Sequence, residues 1–216
     1  MSDRRQLLLA TLATALAVAA LMLWVDHPLA LWMAQFRKTT FVNAFEIITD
    51  LANSAIWYGV ALVGILLARR QRRNDASPAA HALYTQRLRA ALFVIASMVT
   101  SGLLINTIKV IVGRSRPKML VNEGIADYAP FDRWYDDCSF PSGHSQSIWA
   151  AMIALAWIFP RYRIALLAFA VVVSSSRVIV GAHYASDVIA GAFCAFLVAL
   201  PMRRRFERGS VSIQLS

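Results

Sequence analysis

Hydrophobic and polar positions in this chain fall into long blocks. Six apolar runs stand out, at residues 6–25, 51–68, 90–112, 145–159, 164–180 and 184–202. A helix needs about 20 largely apolar residues to cross a bilayer, with a range near 17–25. The fourth run, Ser145–Phe159, is short, and reaches that range if its helix starts a turn earlier, giving 142–159. Lipid offers backbone groups no water, so only helices or closed barrels can span it. Runs this long and unbroken do not suit barrel strands. The predicted class is therefore all-α: a six-transmembrane helix bundle forming one integral-membrane domain over residues 1–216.

The first run follows Arg4-Arg5 and could pass for a secretory signal. A signal core is roughly 7–15 residues. Residues 6–25 exceed that, and no small-x-small cleavage site follows the run cleanly before Asp26-His27-Pro28. We read it as a retained helix.

Composition strengthens this picture. The hydrophobic fraction is 58%, against roughly 45–50% in soluble domains. The excess must face lipid or a large partner. The net charge of +10 would suggest nucleic acid on a soluble chain. Here it sits in clusters between apolar runs, such as Arg69-Arg70-Gln71-Arg72-Arg73 and Arg203-Arg204-Arg205. That is the pattern of loops held on the cytoplasmic side of a bilayer, so the partner is the bilayer and no nucleic acid is expected. With both termini inside (N-in/C-in), the inner segments carry 14 of the 22 basic residues and only Asp3, Asp75 and Glu207 among the acids.

Two outer segments remain. Residues 26–50 contain Pro28–Phe36, too short to span, followed by Arg37-Lys38; this predicts a short interfacial helix with Trp32 as an aromatic anchor. Residues 113–144 form the longest polar segment. The inner connection Gln71–Arg89, with Ser77-Pro78, is expected to be a flexible link. Cys138 lies in a loop and Cys194 in an apolar run. A disulfide needs Cα atoms within about 7 Å, so both are expected as free packing thiols.

Ionisable groups at a membrane edge are costly and usually functional. The predicted topology brings Lys109, Arg114, Arg116, Lys118, His144, Arg177, His183 and Asp187 to the outer face from three separated stretches. Lys109, Arg116 and Arg177 form a cationic set without matching carboxylates, which favours a multiply charged oxyanion such as phosphate. Ser142-Gly143 precedes a helix start, where backbone N–H groups can hold an anion. His144 and His183 supply a nucleophile and a proton donor for the leaving alcohol. His183 and Asp187 are four apart and share a helix face, so the carboxylate can accept the Nδ1 proton and leave Nε2 free to attack.

Arg114 and Lys118 suit either substrate contact or reach toward lipid headgroups. Asp132, Asp136 and Asp137 read as a solvated acidic loop in preference to a metal site. His27 and His81 read as surface residues, and Ser97, Thr100, Ser101, Gly102 and Asn106 as helix-packing residues.

Three blocks carry a resemblance. They are Lys109-x6-Arg116-Pro117, Pro141-Ser142-Gly143-His144 and Ser176-Arg177-x5-His183-x3-Asp187, in blocks 109–117, 141–144 and 176–187 separated by 23 and 31 residues. Together they resemble the three-part signature of the type 2 phosphatidic acid phosphatase superfamily, which shares its site with vanadium haloperoxidases. The resemblance implies that His183 is the nucleophile and forms a phospho-histidine, that Asp187 orients it, and that His144 protonates the leaving oxygen and then activates water. It implies that Lys109, Arg116, Arg177, Ser142 and the Gly143 amide bind the phosphate oxygens. It implies a phosphoric ester hydrolase with no metal and no cofactor, in which Lys and Arg neutralise the developing charge.

The expected activity is hydrolysis of a membrane lipid phosphate or diphosphate at the periplasmic face of a bacterial inner membrane. Candidate substrates are lipid A, phosphatidylglycerophosphate, phosphatidic acid and an isoprenyl diphosphate. A lipid-to-lipid phosphotransferase would use the same histidine intermediate. A phospholipid transporter or flippase would explain the helices and cations but gives the His183–Asp187 pair no role. A haloperoxidase is expected to be soluble, against six apolar runs. Neither residues 26–50 nor 118–140 carry a decodable substrate motif, and the sequence sets no oligomeric state.

Overall fold

The computed structural model describes residues 3–75, 77–208 and 212–215. Among these, the α-helices are α1 Asp3–Trp24, α2 Asp26–Ala34, α3 Thr40–Asp50, α4 Ser54–Asn74, α5 Pro78–Val112, α6 Pro117–Glu123, α7 Gly143–Ile158, α8 Arg163–Ile179 and α9 Ala185–Glu207. Extended pairing is limited, among the described residues, to two isolated bridges, Arg114 with Tyr128 and Ser115 with Cys138. The all-α expectation holds.

Among the described residues, four helices are long and apolar enough to cross a membrane: α1 from Arg4, α5, α8 with the short turn beginning at Pro160, and α9. Helices α3 and α4 pass that test as a pair bent by 41°, which makes a fifth. The bend has a local cause. Asn53 leaves the helix and its side chain accepts a hydrogen bond from Ala55 N at 3.0 Å, restarting the chain as α4. Large apolar side chains face outward along these helices, with Leu23 73% and Ile164 80% exposed. Patches of that kind mark lipid or partner contact.

Helix α7 is the short one. Its 16 residues rise about 24 Å, less than a hydrocarbon core of about 30 Å. It begins at Gly143 with Ser142 as its N-cap, two residues before the apolar run, and ends at Ile158, short of the expected 142–159. It is apolar on every side, and a helix of that kind belongs in the interior. Eleven of its residues are buried, and it packs on α5, α8 and α9. Phe93 and Met98 of α5, Ile148 and Met152 of α7 and Val173 of α8 share this core.

Two expectations need correction. Residues 71–89 are not a flexible link. Helix α4 runs through Asn74 and α5 starts at Pro78. The turn is tight because Asp75 Oδ1 accepts from Ser77 N at 2.9 Å, Ser77 Oγ caps Ala80 N at 3.2 Å, and Pro78 pre-sets the first helical turn. The outer segment 26–50 also holds more than one short helix. The helix expected over 28–36 is α2, starting at Asp26, and α3 follows, capped by Thr39 accepting from Val42 N at 3.4 Å.

Two glycines make the site end possible. Gly113 ends α5 at φ +57°, and a Cβ there would lie 2.1 Å from Ala129 O. Gly191 lets α9 lie against the start of α7; a Cβ there would lie 2.4 Å from Ser142 O.

Candidate active site

The C-terminal ends of α5 and α8 and the N-terminal ends of α6, α7 and α9 supply the site. Lys109 sits in the last turn of α5, 3% exposed, where Nζ donates to Cys138 O at 3.2 Å and lies 4.9 Å from the centre of the Tyr135 ring. Arg116 is the N-cap residue of α6, fixed in extended backbone before Pro117. Arg177 ends α8, and its Nη1 donates to Thr49 Oγ1 at 2.7 Å. The buried Nε atoms of Arg116 and Arg177 have no hydrogen-bond partner, and neither does His183 Nδ1. Buried donors of this kind are rare and mark strain or function.

Ser142 Oγ accepts from Ser145 N at 3.2 Å, while Ser142 N donates to the Asp187 carbonyl at 3.0 Å. The start of α7 is thereby tied to the start of α9. Gly143 and His144 follow as the first two residues of α7. His183 lies in the short connection between α8 and α9, and its backbone N donates to Arg177 O at 3.1 Å. The two histidines differ in surroundings: His144 is exposed and His183 is 2% exposed.

Five of the expected site side chains, Lys109, Arg116, His144, Arg177 and His183, lie within electrostatic reach of one another. His144 feels the charges of Arg177, His183, Arg116 and Lys109. Arg116 in turn is felt by Lys109, Arg177 and His183. Burial pushes the His183 imidazole down to about 4, against the opposing pull of Asp187 and with Arg116 and Arg177 adding to the fall. His183 is thus neutral at ordinary pH, the state a nucleophile needs.

Asp187 differs from expectation. Its Oδ2 stands 3.6 Å from His183 Nδ1, beyond hydrogen-bond reach. The same oxygen accepts from Ser139 Oγ, and from Tyr184 N at 2.8 Å, which caps α9. Its Oδ1 accepts from Arg114 Nη1 at 2.9 Å. The carboxylate is already held by three donors, so it faces the imidazole electrostatically.

Arg114 is corrected outright. It neither reaches a headgroup nor faces substrate: it is 3% exposed and bridges Asp187 and Asp26 at 2.9 Å each. Burial works against its charge, but Asp187 and Asp26 outweigh that and hold it above the ordinary range. Lys118 is exposed and pairs with Asp137 at 2.8 Å, which keeps that carboxyl below its usual range. Among the described residues, no three His, Cys, Asp or Glu side chains converge as a metal would require. His27 and His81 are exposed, Cys138 and Cys194 are free thiols, and Ser101 Oγ accepts from the Gln146 side chain of α7, tying α5 to α7.

Asp26, Thr49, Ser139 and Ser186 were not predicted. Asp26 carried a usable signal, as an acid closing an apolar run before a proline. The other three are ordinary hydroxyl residues whose roles appear only in three dimensions. Beside the site, a cavity of about 380 Å³ is lined by Arg37, Glu46, Arg116, Lys118 and the turn Val180–Ala182.

Comparison with known proteins agrees with this geometry. Residues 90–209 match the family model described as the PAP2 superfamily. A lipid A 1-phosphatase of Rhizobium etli is 39% identical over 180 residues, covering 81% of this chain and 74% of that protein. A lipid A 1-phosphatase of Rhizobium johnstonii is 38% identical over 177 residues, covering 81% and 70%. The fold is similar to the crystal structure of a transmembrane PAP2-type phosphatidylglycerolphosphate phosphatase from Bacillus subtilis, with a TM-score of 0.66 and 21% identity over 96% of this chain and 98% of that one. With a family model covering more than half of its length and its apolar helices suited to a bilayer, the chain belongs to the PAP2 superfamily and is a multi-pass membrane phosphoric ester hydrolase.

Proposed function

We propose that this protein is a lipid phosphatase of a bacterial inner membrane that removes a phosphate from lipid A at the periplasmic face, through a phospho-histidine on His183. One observation carries the reading. Two imidazoles and three cations stand within electrostatic reach of one another, and the buried Nε atoms of Arg116 and Arg177 have no protein partner. A phosphate dianion supplies the charge and the acceptors that these groups share.

In the first step, neutral His183 attacks phosphorus through Nε2. The Nε2–P bond forms, the bond from phosphorus to the leaving oxygen breaks, and His144 gives that oxygen its proton. In the second, His144 takes a proton from water, whose oxygen attacks phosphorus. The Nε2–P bond breaks and inorganic phosphate leaves. His144 is the more exposed of the two and can exchange protons with water, and a bound phosphate dianion offsets the surrounding cations so that it can carry the proton it donates. Lys109, Arg116, Arg177, the Ser142 hydroxyl and the Gly143 amide hold the equatorial oxygens as charge develops.

The topology is N-in/C-in with six spans: α1, the α3–α4 pair, α5, α7, α8 and α9. Short α7 crosses within a sheath of its neighbours. The domain then extends over the whole chain, and the site end lies opposite the arginine clusters, hence outside. Lipid A is preferred among the candidate lipids because two relatives above 35% identity are named for it. The cavity beside Arg116, with Arg37, Lys118 and Glu46, also offers charge and hydrogen bonds to a glycosyl headgroup that phosphatidic acid lacks.

The test is phosphate release by the detergent-solubilised protein from a panel of lipid A, phosphatidylglycerophosphate, phosphatidic acid and an isoprenyl diphosphate. Lipid A is expected to be turned over fastest. Full activity in His183→Ala would sink the phosphatase assignment. Transfer of labelled phosphate to a second lipid, with little free phosphate, would replace hydrolysis by phosphotransfer.

A further inference from the structure

The residues around Asp187 form a closed buried network that starts far from the three blocks. Asp26 is 1% exposed at the junction of α1 and α2. Its Oδ2 accepts from Arg114 Nη2 at 2.9 Å and from Ser186 Oγ, and its Oδ1 accepts from Ser186 N at 3.1 Å. Arg114 Nη1 donates to Ser186 Oγ at 2.7 Å and to Asp187 Oδ1 at 2.9 Å. The guanidinium also lies 4.0 Å from the centre of the Tyr184 ring. Asp26 precedes residue 90, where the family match begins.

The charge count gives this network a consequence. Two carboxylates share one guanidinium, so the buried group carries a net charge of −1. A buried charge is tolerated when it is paired and hydrogen-bonded, and here every carboxylate oxygen has a donor. Without Asp26, Arg114 would pair with Asp187 alone and cancel it. Attack through His183 Nε2 leaves the ring cationic, with a proton on Nδ1, and that cation needs an uncancelled carboxylate beside it. Asp187 is the neighbour, 3.6 Å away.

We infer that Asp26 is a positioning residue for the reaction: it divides Arg114 between two carboxylates, so that Asp187 keeps a net negative charge facing His183. The first two helices are therefore part of the active site. This inference rests on the reading of His183 and Asp187 as the reacting pair.

The test is steady-state kinetics on lipid A for wild type, Asp26→Asn, Arg114→Gln and the double variant, in the full-length solubilised protein. Asp26→Asn is expected to lower kcat at least tenfold with KM within about twofold, because the loss falls on the transition state. The double variant removes one charge of each sign and restores −1, so it is expected to recover most of the kcat lost in Asp26→Asn. A role in packing alone predicts that the double variant, which loses the contacts of both side chains, is no more active than Asp26→Asn and that its loss follows the folded fraction. If Asp26→Asn does not fold, the double variant carries the test by itself. Its kcat then lies within about tenfold of wild type if charge balance is the function. A larger loss in well-folded double variant, or an unchanged kcat in Asp26→Asn, overturns the inference. His183→Ala and Asp187→Asn in the same series separate the two failures: if either keeps full activity, the site reading itself falls.

Discussion

His183 Nδ1 and Asp187 Oδ2 stand 3.6 Å apart in a pocket that excludes water from both. The carboxylate is held by Ser139, Tyr184 N and Arg114 and is not free to swing. Orientation of the imidazole then comes from the backbone as well, through His183 N on Arg177 O at 3.1 Å. The pair is a fixed electrostatic relationship that substrate binding can tighten. Asp187→Asn keeps the shape and loses the charge. It is expected to lower kcat by roughly 10³-fold, with KM little changed. Kinetics on lipid A check this, and an effect under tenfold would leave Asp187 with only its capping role.

Acid sensitivity follows from the same burial. The His183 imidazole is held down to about 4 by burial, against about 6.5 for a free histidine. The unfolded chain therefore binds a proton between those values that the folded chain refuses, and stability falls as pH drops from about 6.5 toward 4. Thermal unfolding of wild type and His183→Gln across pH 4 to 7 should show a steeper acid loss in wild type. Parallel curves would contradict this.

Arg116 and Arg177 each bring a buried Nε with no protein acceptor. Replacement of either by Lys keeps the charge and loses the planar fork. Each is expected to lower kcat/KM about 10²-fold, from the loss of one or two charged hydrogen bonds at about 1.5–3 kcal/mol each. Unchanged kcat/KM in both would remove them from the phosphate site.

Gly191 tests the joint between α7 and α9. A methyl there would meet Ser142 O at 2.4 Å. Gly191→Ala must push apart the helix ends that carry His144 and Asp187. Its expected cost is about 1–3 kcal/mol in stability, with loss of activity beyond that in proportion. A variant as stable and active as wild type would show that the helices need not approach so closely.

The cavity beside Arg116 predicts selectivity. Arg37→Ala with Lys118→Ala should raise KM for lipid A at least tenfold while leaving turnover of phosphatidic acid nearly unchanged, since only a large headgroup reaches those residues. An equal effect on both lipids would make the two cations general attractors of anions.

The charged positions of the candidate site stand out in the sequence more plainly than the scaffold around them. Lys109, Arg116, His144, Arg177 and His183 were legible because their charges sit where apolar runs end. Helices announce themselves by long apolar runs, so the bounds of α1, α8 and the start of α9 stand near those runs, while α5 begins at Pro78, twelve residues before its apolar run. Helix α3 is hidden because Asn43, Glu46 and Asp50 recur on one face of an amphipathic helix and break the continuous apolar run that would announce it. Residues 71–89 were misread because basic side chains suggested a loop, although a capped turn of three residues suffices. Arg114 was misassigned because a charge beside Arg116 looks the same whether it faces phosphate or a buried acid. Its partner Asp26 lies 88 positions away in the chain, and local pattern carries no trace of such a pairing.

The most direct test of the account is to trap the covalent intermediate. Labelled lipid A phosphate is mixed with wild-type protein, the reaction is stopped in alkaline detergent, and the phosphorylated peptide is sequenced by mass spectrometry. The account predicts one phosphoryl group on His183, absent in His183→Ala and longer-lived in His144→Ala. A phosphoryl group on any other residue, or phosphate release at the wild-type rate by His183→Ala, would contradict it.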